Sequence, residues 1–313
     1  MRKLLVVLAL TAMAVLAGAC DPPEDGASPT EKNPSGNGTP AEAGGPTPVE
    51  TVQVAYRETA AEGTARISYE ATTTGPAVDP ENSAGASSGA MTVKGGGVTD
   101  FSGAASSMTI GTPGMGDLEM RQVGETVYVK LPDEFASQTS GSKPWVRVDL
   151  DALYGQQYGG APVQGGASGG PTRQLEYLRG VSDSVEKIGE EEVRGVPTTH
   201  YEAIVDLNKE VAGQDAGVKE ANQELVKRLG TSKLPVEVWV DEENRVRRYA
   251  LDVSVPMPES AASQDASQGD DRLRTRMVIE YYDFGTPVDV QAPPQDQTMD
   301  GSKLLAGEQP AAR

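Results

Sequence analysis

Cys20 is the residue whose type and position point most directly to a defined chemical reaction. It is the only cysteine of the 313-residue chain, and it ends the stretch Leu16-Ala17-Gly18-Ala19-Cys20. An apolar run over residues 4–16 follows Arg2 and Lys3, and it is too short to cross the ~30 Å hydrocarbon core of a bilayer at about 1.5 Å per residue. The pattern predicts a lipoprotein signal peptide over residues 1–19 that is removed before Cys20. The Cys20 thiol would then carry a diacylglyceryl thioether.

Lipidation of Cys20 predicts a protein held at the outer face of the cell membrane. Two or three acyl chains anchor a protein firmly where one is marginal, because each buried CH₂ contributes ~0.8 kcal/mol. Residues 21–48 contain no aromatic residue and no aliphatic residue larger than alanine, so they lack the apolar surface that folding requires. We therefore predict a disordered tether over residues 20–48, a folded domain over 49–291 and a flexible tail over 292–313.

Other residue types that catalyse reactions do not form a convincing site in this sequence. A glycosidase needs two carboxylates across a cleft, whereas the acidic runs at 190–192 and 241–243 are expected in solvated turns. His200 is the only histidine, and without a second cysteine or histidine it completes neither a zinc site nor a triad. We interpret it as a structural or rim residue. The glycine runs at 95–97 and 165–166 lack the Lys-Ser/Thr that follows a phosphate-binding loop, so we expect no enzyme, metal or cofactor.

The composition sets further limits on partners and fold. The chain carries 46 acidic and 27 basic residues, a formal net charge of −19. A protein of this charge is repelled by phosphate backbones, so nucleic acid is not an expected partner. With 36 glycines, 22 prolines and only 5% aromatic residues, the chain is expected to form β-structure with many turns rather than a helical bundle.

The folded domain is predicted to consist mainly of β-strands, because apolar and polar residues alternate with a period of two. The apolar positions are Ala65, Ile67, Tyr69 and Ala71; Val127, Val129 and Leu131; Val146, Val148 and Leu150; Tyr201, Ala203, Val205 and Leu207; Val236, Val238 and Val240; Tyr249, Leu251, Val253 and Val255; and Met277, Ile279 and Tyr281. Charged residues fill many alternate positions, which indicates an antiparallel sheet with one apolar and one solvated face. Trp145 and Trp239 are out of phase and are expected on the convex face or at a rim.

Turns and helices are expected to connect these strands. Gly124-Glu125 and residues 241–244 are predicted to form the turns of two hairpins. Helical spacing predicts a helix over Val49–Ala61, a second one capped by Thr172 and a longer one capped by Asn208. The helices are expected to pack on the apolar face of the sheet. The polar segments 155–170 and 260–271 are predicted to be loops.

Five segments, taken together, resemble one family. They are GETVYVKLP (124–132), KPWVRVDLDAL (143–153), GVPTTHYEAIVDL (195–207), LPVEVWVDEENRVRRYAL (234–251) and YYDFGTPVDVQAPP (281–294). In this order they resemble the actinobacterial LppX/LprG-type lipoproteins of the LolA-like superfamily. The resemblance implies an α+β fold in which a curved antiparallel half-barrel carries helices on its concave face and encloses an apolar cavity for acyl chains. The segments 155–170 and 260–271 are not features carried over from that family.

The resemblance implies a ligand cavity on the apolar face of the sheet. The residues expected to line it are Ile67, Tyr69, Met91, Val93, Met120, Val127, Val129, Val146, Val148, Val236, Val238 and Leu251. Met91, Met108, Met115 and Met120 are close in sequence, and their flexible thioethers suit either a cavity for acyl chains or an irregular core with few aromatic residues. The segment 155–170 and the helix after it are expected to gate ligand entry.

These features predict an envelope lipoprotein that binds a lipid or lipoglycan acyl moiety and carries it between membrane components. The expected partners are the membrane, through lipidated Cys20, a lipid or glycolipid ligand, and a membrane transporter. An alternative is a non-transport lipoprotein that acts as a sensor or assembly subunit, for which a filled core or a small pocket is expected. The third interpretation, an envelope hydrolase, conflicts with the lack of a catalytic constellation.

Overall fold

The computed structural model describes residues 46–76, 88–113, 116–133, 136, 143–149, 175, 178, 181–210, 223, 226–227, 229–256 and 272–301. The predicted signal peptide, Cys20, most of the predicted tether and the predicted loops at 155–170 and 260–271 lie outside these residues. Of the helix predicted after Thr172, only Leu175 and Leu178 are described, and both are fully buried.

Helix α1 spans Pro48–Ala61 and confirms the helix predicted from the apolar spacing. It begins with a capping box, in which the Glu50 N–H donates to Thr47 Oγ1 (3.3 Å) and the Thr47 N–H donates to Glu50 Oε2 (2.8 Å). The backbone hydrogen bond from Thr47 lowers the pKa of the Glu50 carboxyl. Pro48 occupies the first turn, where its missing N–H removes no intrahelical bond.

Within the described residues, the chain forms one open, curved sheet, and the fold is α+β. Its strands are β1 (Thr64–Pro76), β2 (Ser88–Asp100), β3 (Ala105–Thr112), β4 (Gly116–Val123), β5 (Thr126–Lys130), β6 (Trp145–Asp149), β7 (Val181–Val193), β8 (Val196–Asp206), β9 (Lys233–Asp241), β10 (Val246–Pro256), β11 (Arg272–Tyr282) and β12 (Thr298–Asp300). Their order across the sheet is β12-β6-β5-β4-β3-β2-β1-β11-β10-β9-β8-β7. Neighbouring strands are antiparallel except for β12 and β6, which are parallel and depart from the predicted arrangement.

The predicted alternation of faces is confirmed in the strands that the sequence indicated. On β1, Ile67 and Tyr69 are buried, whereas Arg66 and Glu70 are exposed. Val52 and Ala55 of α1 belong to the same hydrophobic cluster as Ile67. We call the side of the sheet that carries Ile67 and Tyr69 the inner face, because α1 packs there, and the opposite side the outer face.

Thr59 fixes α1 to the sheet by hydrogen bonds inside the core. Its Oγ1 donates to the Ala55 carbonyl oxygen (2.6 Å) and accepts a hydrogen bond from the Val246 N–H at the start of β10 (2.8 Å). Thr59 and Val246 are both fully buried. The helix also contacts β7 and β9. It therefore covers the inner face on the half of the sheet that contains β7, β9 and β10.

Five strands, β2, β3, β4, β7 and β12, are not predicted by the alternation pattern. The glycine run at 95–97 lies in the middle of β2, where an added Cβ on Gly97 would come within 1.9 Å of the Ser107 carbonyl oxygen of β3. Glycine therefore allows β2 and β3 to approach closely at this position. Glu190, Glu191 and Glu192, expected in a turn, belong to β7 instead, and this strand lies at the edge of the sheet.

The C-terminal boundary of the folded domain differs from the prediction. Residues 298–300, which were expected in a flexible tail, form β12 beside β6. The Gly301 N–H donates to the Arg147 carbonyl oxygen (2.7 Å), and Arg147 forms an ion pair with Asp300 (3.0 Å). The polar composition of the segment does not reveal this strand, because three residues provide no periodicity. The folded part extends past residue 291, to at least 301.

The predicted cap of the helix after β8 is also displaced. A short helix α2 spans Leu207–Glu210, and its cap is Asp206, whose Oδ1 accepts a hydrogen bond from the Asn208 N–H (3.0 Å). Asn208 therefore lies inside the helix. Leu207, expected as the last apolar residue of the strand, is the first residue of α2 and is fully buried.

Candidate ligand-binding face

The strand register places all twelve predicted cavity residues on the inner face. Directly paired residues of neighbouring strands point to the same side of a sheet, as do residues two positions apart on one strand. One row of paired residues consists of Tyr281, Ile67, Gly97, Met108, Met120, Val129 and Val146. Leu251 of β10 pairs with Met277 of β11, and Tyr249 of β10 pairs with Val238 of β9. These residues of β10 and β9 therefore lie on the same side of the sheet. That these residues line a cavity stays a prediction.

One end of the inner face is closed by aromatic side chains. The ring centroid of Phe101 lies 5.9 Å from that of Tyr281 and 6.4 Å from that of Phe284. The guanidinium groups of Arg245 and Arg247 lie 5.2 and 4.9 Å from the centre of the Phe284 ring. Tyr281 is fully buried. Period-two alternation does not identify Phe101 or Phe284 as site residues, because Phe101 follows β2, a strand that it does not predict, and Phe284 lies beyond the end of β11.

The other end of the inner face is more accessible. β1 leaves the closed end at Thr64 and reaches this end at Pro76. Ile67 is fully buried, but farther along the neighbouring strands Met91, Val93, Val253 and Val255 are only half-buried. Apolar side chains therefore become more exposed toward the start of β2 and the end of β10. We call this region the open end.

A second buried patch lies on β5 and β6. Val127, Val129, Val146 and Val148 are each 6–8% exposed, and they pair directly across the two strands. Gly301 lies against this patch, because a Cβ added there would be 2.6 Å from Val146 Cγ1 and 2.9 Å from Val148 Cγ2. The C-terminal segment thus covers two of the predicted cavity residues.

The central part of the inner face carries no formal charge. On the three central strands β11, β1 and β2, every described inner-face residue is uncharged. Burial raises the pKa of the Tyr69 hydroxyl to about 12 and raises that of Tyr281 as well. Both phenols are therefore neutral at physiological pH. Such a surface suits apolar chains and neutral polar groups, since burying an unpaired ion is strongly unfavourable.

His200 and Trp239 lie together on the outer face. Their rings stack with centroids 4.1 Å apart and an angle of 9° between the planes. The Nδ1 atom of His200 lies 3.3 Å from Glu191 Oε1. The Nε2 atom of the same ring lies 3.0 Å from Glu237 Oε2, but this contact lacks the geometry of a hydrogen bond. The Trp239 indole N–H donates to Glu191. This arrangement supports the interpretation of His200 as a structural residue.

Arginine side chains cover the remaining aromatic and acidic groups of the outer face. The guanidinium of Arg121 lies 4.6 Å from the centre of the Trp145 ring. The strand register places Trp145, like Trp239, on the outer face and therefore apart from the inward-facing apolar residues. Glu280 is paired with Arg248 (2.8 Å) and Arg194 (2.7 Å). Burial opposes ionisation of Glu280, but hydrogen bonds from these two arginines hold the pKa of its carboxyl below the ordinary value.

Within the described part of the chain, no group of three or more His, Cys, Asp or Glu side chains is placed to hold a metal ion. None of the helices in that part is long and apolar enough to span a membrane.

Two proteins of Streptomyces are similar to this chain in sequence. An uncharacterized 31.2 kDa protein of Streptomyces griseus is 28% identical over 205 residues, which cover 61% of this chain and 59% of the relative. A Streptomyces coelicolor protein, provisionally named a lipoprotein, is 23% identical over 212 residues, which cover 66% of this chain and 60% of the relative. The matched region thus spans about three fifths of each relative. No family model matches the chain.

Two solved mycobacterial structures are similar to this protein. LppX, a lipoprotein of Mycobacterium tuberculosis, is 14% identical with a TM-score of 0.43; the match covers 77% of this chain and 98% of LppX. LprF from Mycobacterium bovis is 12% identical with a TM-score of 0.40, covering 80% of this chain and 99% of LprF.

Proposed function

We propose that this protein is a lipid-anchored protein of the cell envelope that binds the acyl part of a lipid or glycolipid on its inner face and carries it between membrane components. The observation that supports binding is the inner face itself. It is apolar and uncharged along its central strands, closed by aromatic rings at one end and lined by half-buried Met91 and Val93 at the other.

The driving force for binding would be removal of apolar surface from water, worth ~25 cal/mol per Å². An acyl chain that enters at the open end meets Met91, Val93, Val253 and Val255 before it reaches the fully buried residues near α1. Methionine side chains adapt to chains of uneven length because they are unbranched and flexible. The closed end would stop the chain at Phe101 and Phe284.

Val93→Trp tests this proposal. Val93 is half-buried at the open end, so a bulky ring should fill the entrance at a cost of less than ~1 kcal/mol in unfolding free energy. Overpacking a closed core costs ~1–3 kcal/mol. The variant should lose most of the lipid that native mass spectrometry detects on the mature protein purified from its host.

Lys94→Trp is the matched control, because Lys94 is the next residue on β2 and its side chain is exposed on the outer face. It should retain bound lipid. Wild-type protein that carries no lipid, together with a large destabilisation by Val93→Trp, would instead indicate a filled core and favour a sensor or assembly subunit.

The proposed anchor is Cys20. It is supported by the predicted signal peptide that ends before this cysteine and by the name of the Streptomyces coelicolor relative. Cys20→Ser should abolish incorporation of a fatty-acid probe and release the protein from the membrane fraction. Labelling that persists in the serine variant would contradict the proposal. A membrane transporter remains the proposed source or acceptor of the carried lipid.

A further inference from the structure

Tyr69 places a polar group in the apolar centre of the inner face. It lies on β1 between Ile67 and Ala71, and its side chain is 7% exposed. Its register partners are Gly95 on β2 and Ile279 on β11. None of these four neighbours has a polar side chain that could bond to the Tyr69 hydroxyl.

The Tyr69 hydroxyl has no hydrogen-bond partner among the described residues. Burial is the only influence that raises the pKa of Tyr69, as expected for a phenol without a bonded neighbour. Two buried polar side chains elsewhere in the sheet and helix show the usual arrangement, in which the polar atoms are bonded. Thr59 bonds Ala55 and Val246, and Gln122 donates to two backbone carbonyl oxygens.

The chemistry of the surroundings limits which group can satisfy this hydroxyl. Because the phenol is neutral at physiological pH, it donates one hydrogen bond. The central strands offer no cation to compensate a buried phosphate or carboxylate, so a charged headgroup is unsuited to this position. A carbonyl oxygen that lies between apolar groups is suited to it, since it accepts a hydrogen bond and carries no charge.

We propose that the Tyr69 hydroxyl is a specificity-determining donor that binds the carbonyl oxygen of an ester or amide at which an acyl chain of the bound lipid begins. This inference rests on the proposed function, because it assigns a contact within the same lipid-binding face. It places the ester or amide beside Gly95, where the neighbouring strand contributes no side chain.

The test compares a diacylglycerol with a dialkylglycerol of equal chain length, in which ether links replace the ester carbonyls. The protein is the mature chain from residue 20 with Cys20→Ser, so that its own acyl chains do not compete. One hydrogen bond to a carbonyl should make wild-type protein prefer the diacylglycerol by about three- to tenfold in dissociation constant. Tyr69→Phe should abolish this preference and leave the affinity for the ether lipid unchanged.

Tyr128→Phe is the control for loss of a phenolic oxygen, because Tyr128 is on the outer face of β5, and this variant should keep the preference. If wild-type protein binds both lipids equally, the proposed contact is overturned while lipid binding stands. If it binds neither, the proposed function fails and the contact with it. The proposed role is also overturned if the Tyr69→Phe variant keeps the preference for the diacylglycerol, or if it binds both lipids more weakly by the same factor.

Discussion

Replacing Thr59 by valine should loosen the attachment of α1 to the sheet. Valine has nearly the same shape as threonine, but it provides no oxygen for the Val246 N–H, which is 2.8 Å from Thr59 Oγ1 and fully buried. A buried donor without a partner costs about 1–3 kcal/mol. For a domain of this size, each kcal/mol corresponds to a fall in Tm of about 2–4 °C.

Thr59→Ser separates the hydrogen bond from packing, since serine keeps the hydroxyl and loses only a buried methyl group. Its expected cost is ~0.8 kcal/mol. Thr51→Val is a control on the same helix, because the Thr51 hydroxyl bonds the Thr47 carbonyl oxygen at an exposed position; it should change stability by less than ~0.5 kcal/mol. Urea unfolding measures all three variants. If Thr59→Val is as stable as wild type, or more stable than Thr59→Ser, the hydrogen bond does not fix α1.

Two further predictions concern the sheet. Gly97→Ala should destabilise the protein by about 1–3 kcal/mol, because its Cβ would come within 1.9 Å of a backbone oxygen of β3. Gly189→Ala, with no atom within 4 Å of the added Cβ, should be nearly neutral in the same urea titration; equal effects would refute the close approach. Glu280 has a pKa below its ordinary 4.5 because of Arg248 and Arg194, so its ion pairs stabilise the fold above about pH 5 and lose this effect as the pH falls through the lowered pKa. Glu280→Gln should therefore flatten the acid decline of unfolding free energy, and an unchanged decline would contradict this.

The sequence predicts the fold wherever β-branched and aromatic residues alternate with charged ones. Ile67 and Tyr69 of β1 are confirmed as buried, as are Val236 and Val238 of β9. The same method fails for β2, because its glycines contribute no periodicity. These glycines are required by the close contact with β3, and the local sequence of β2 does not show that β3 is its neighbour. It fails for β7 because an edge strand is acidic and exposed along much of its length, and its register shifts near Ile188.

The candidate site is predicted in its composition but not in its boundaries. Period-two alternation assigns residues to a face, which is why the nine predicted residues on β1, β5, β6, β9 and β10 share one side of the sheet. Met91, Val93 and Met120 lie on strands that alternation does not predict, and the strand register adds them to the same side. It cannot show what covers that face. Phe284 follows β11 in a loop, and Gly301 reaches Val146 from a separate part of the chain, so both contacts arise from tertiary packing.

The distribution of apolar surface favours the inner face over the outer face as the place where an apolar ligand binds. Among the described residues, Ile188 is the only large hydrophobic side chain that is exposed, at 51%. Trp145 and Trp239, the largest apolar groups of the outer face, are each 4% exposed beneath Arg121 and Arg248. A ligand on the outer face would have to displace these arginines and expose both indoles. At the open end it meets half-buried aliphatic side chains instead, and gains contact without breaking an ion pair.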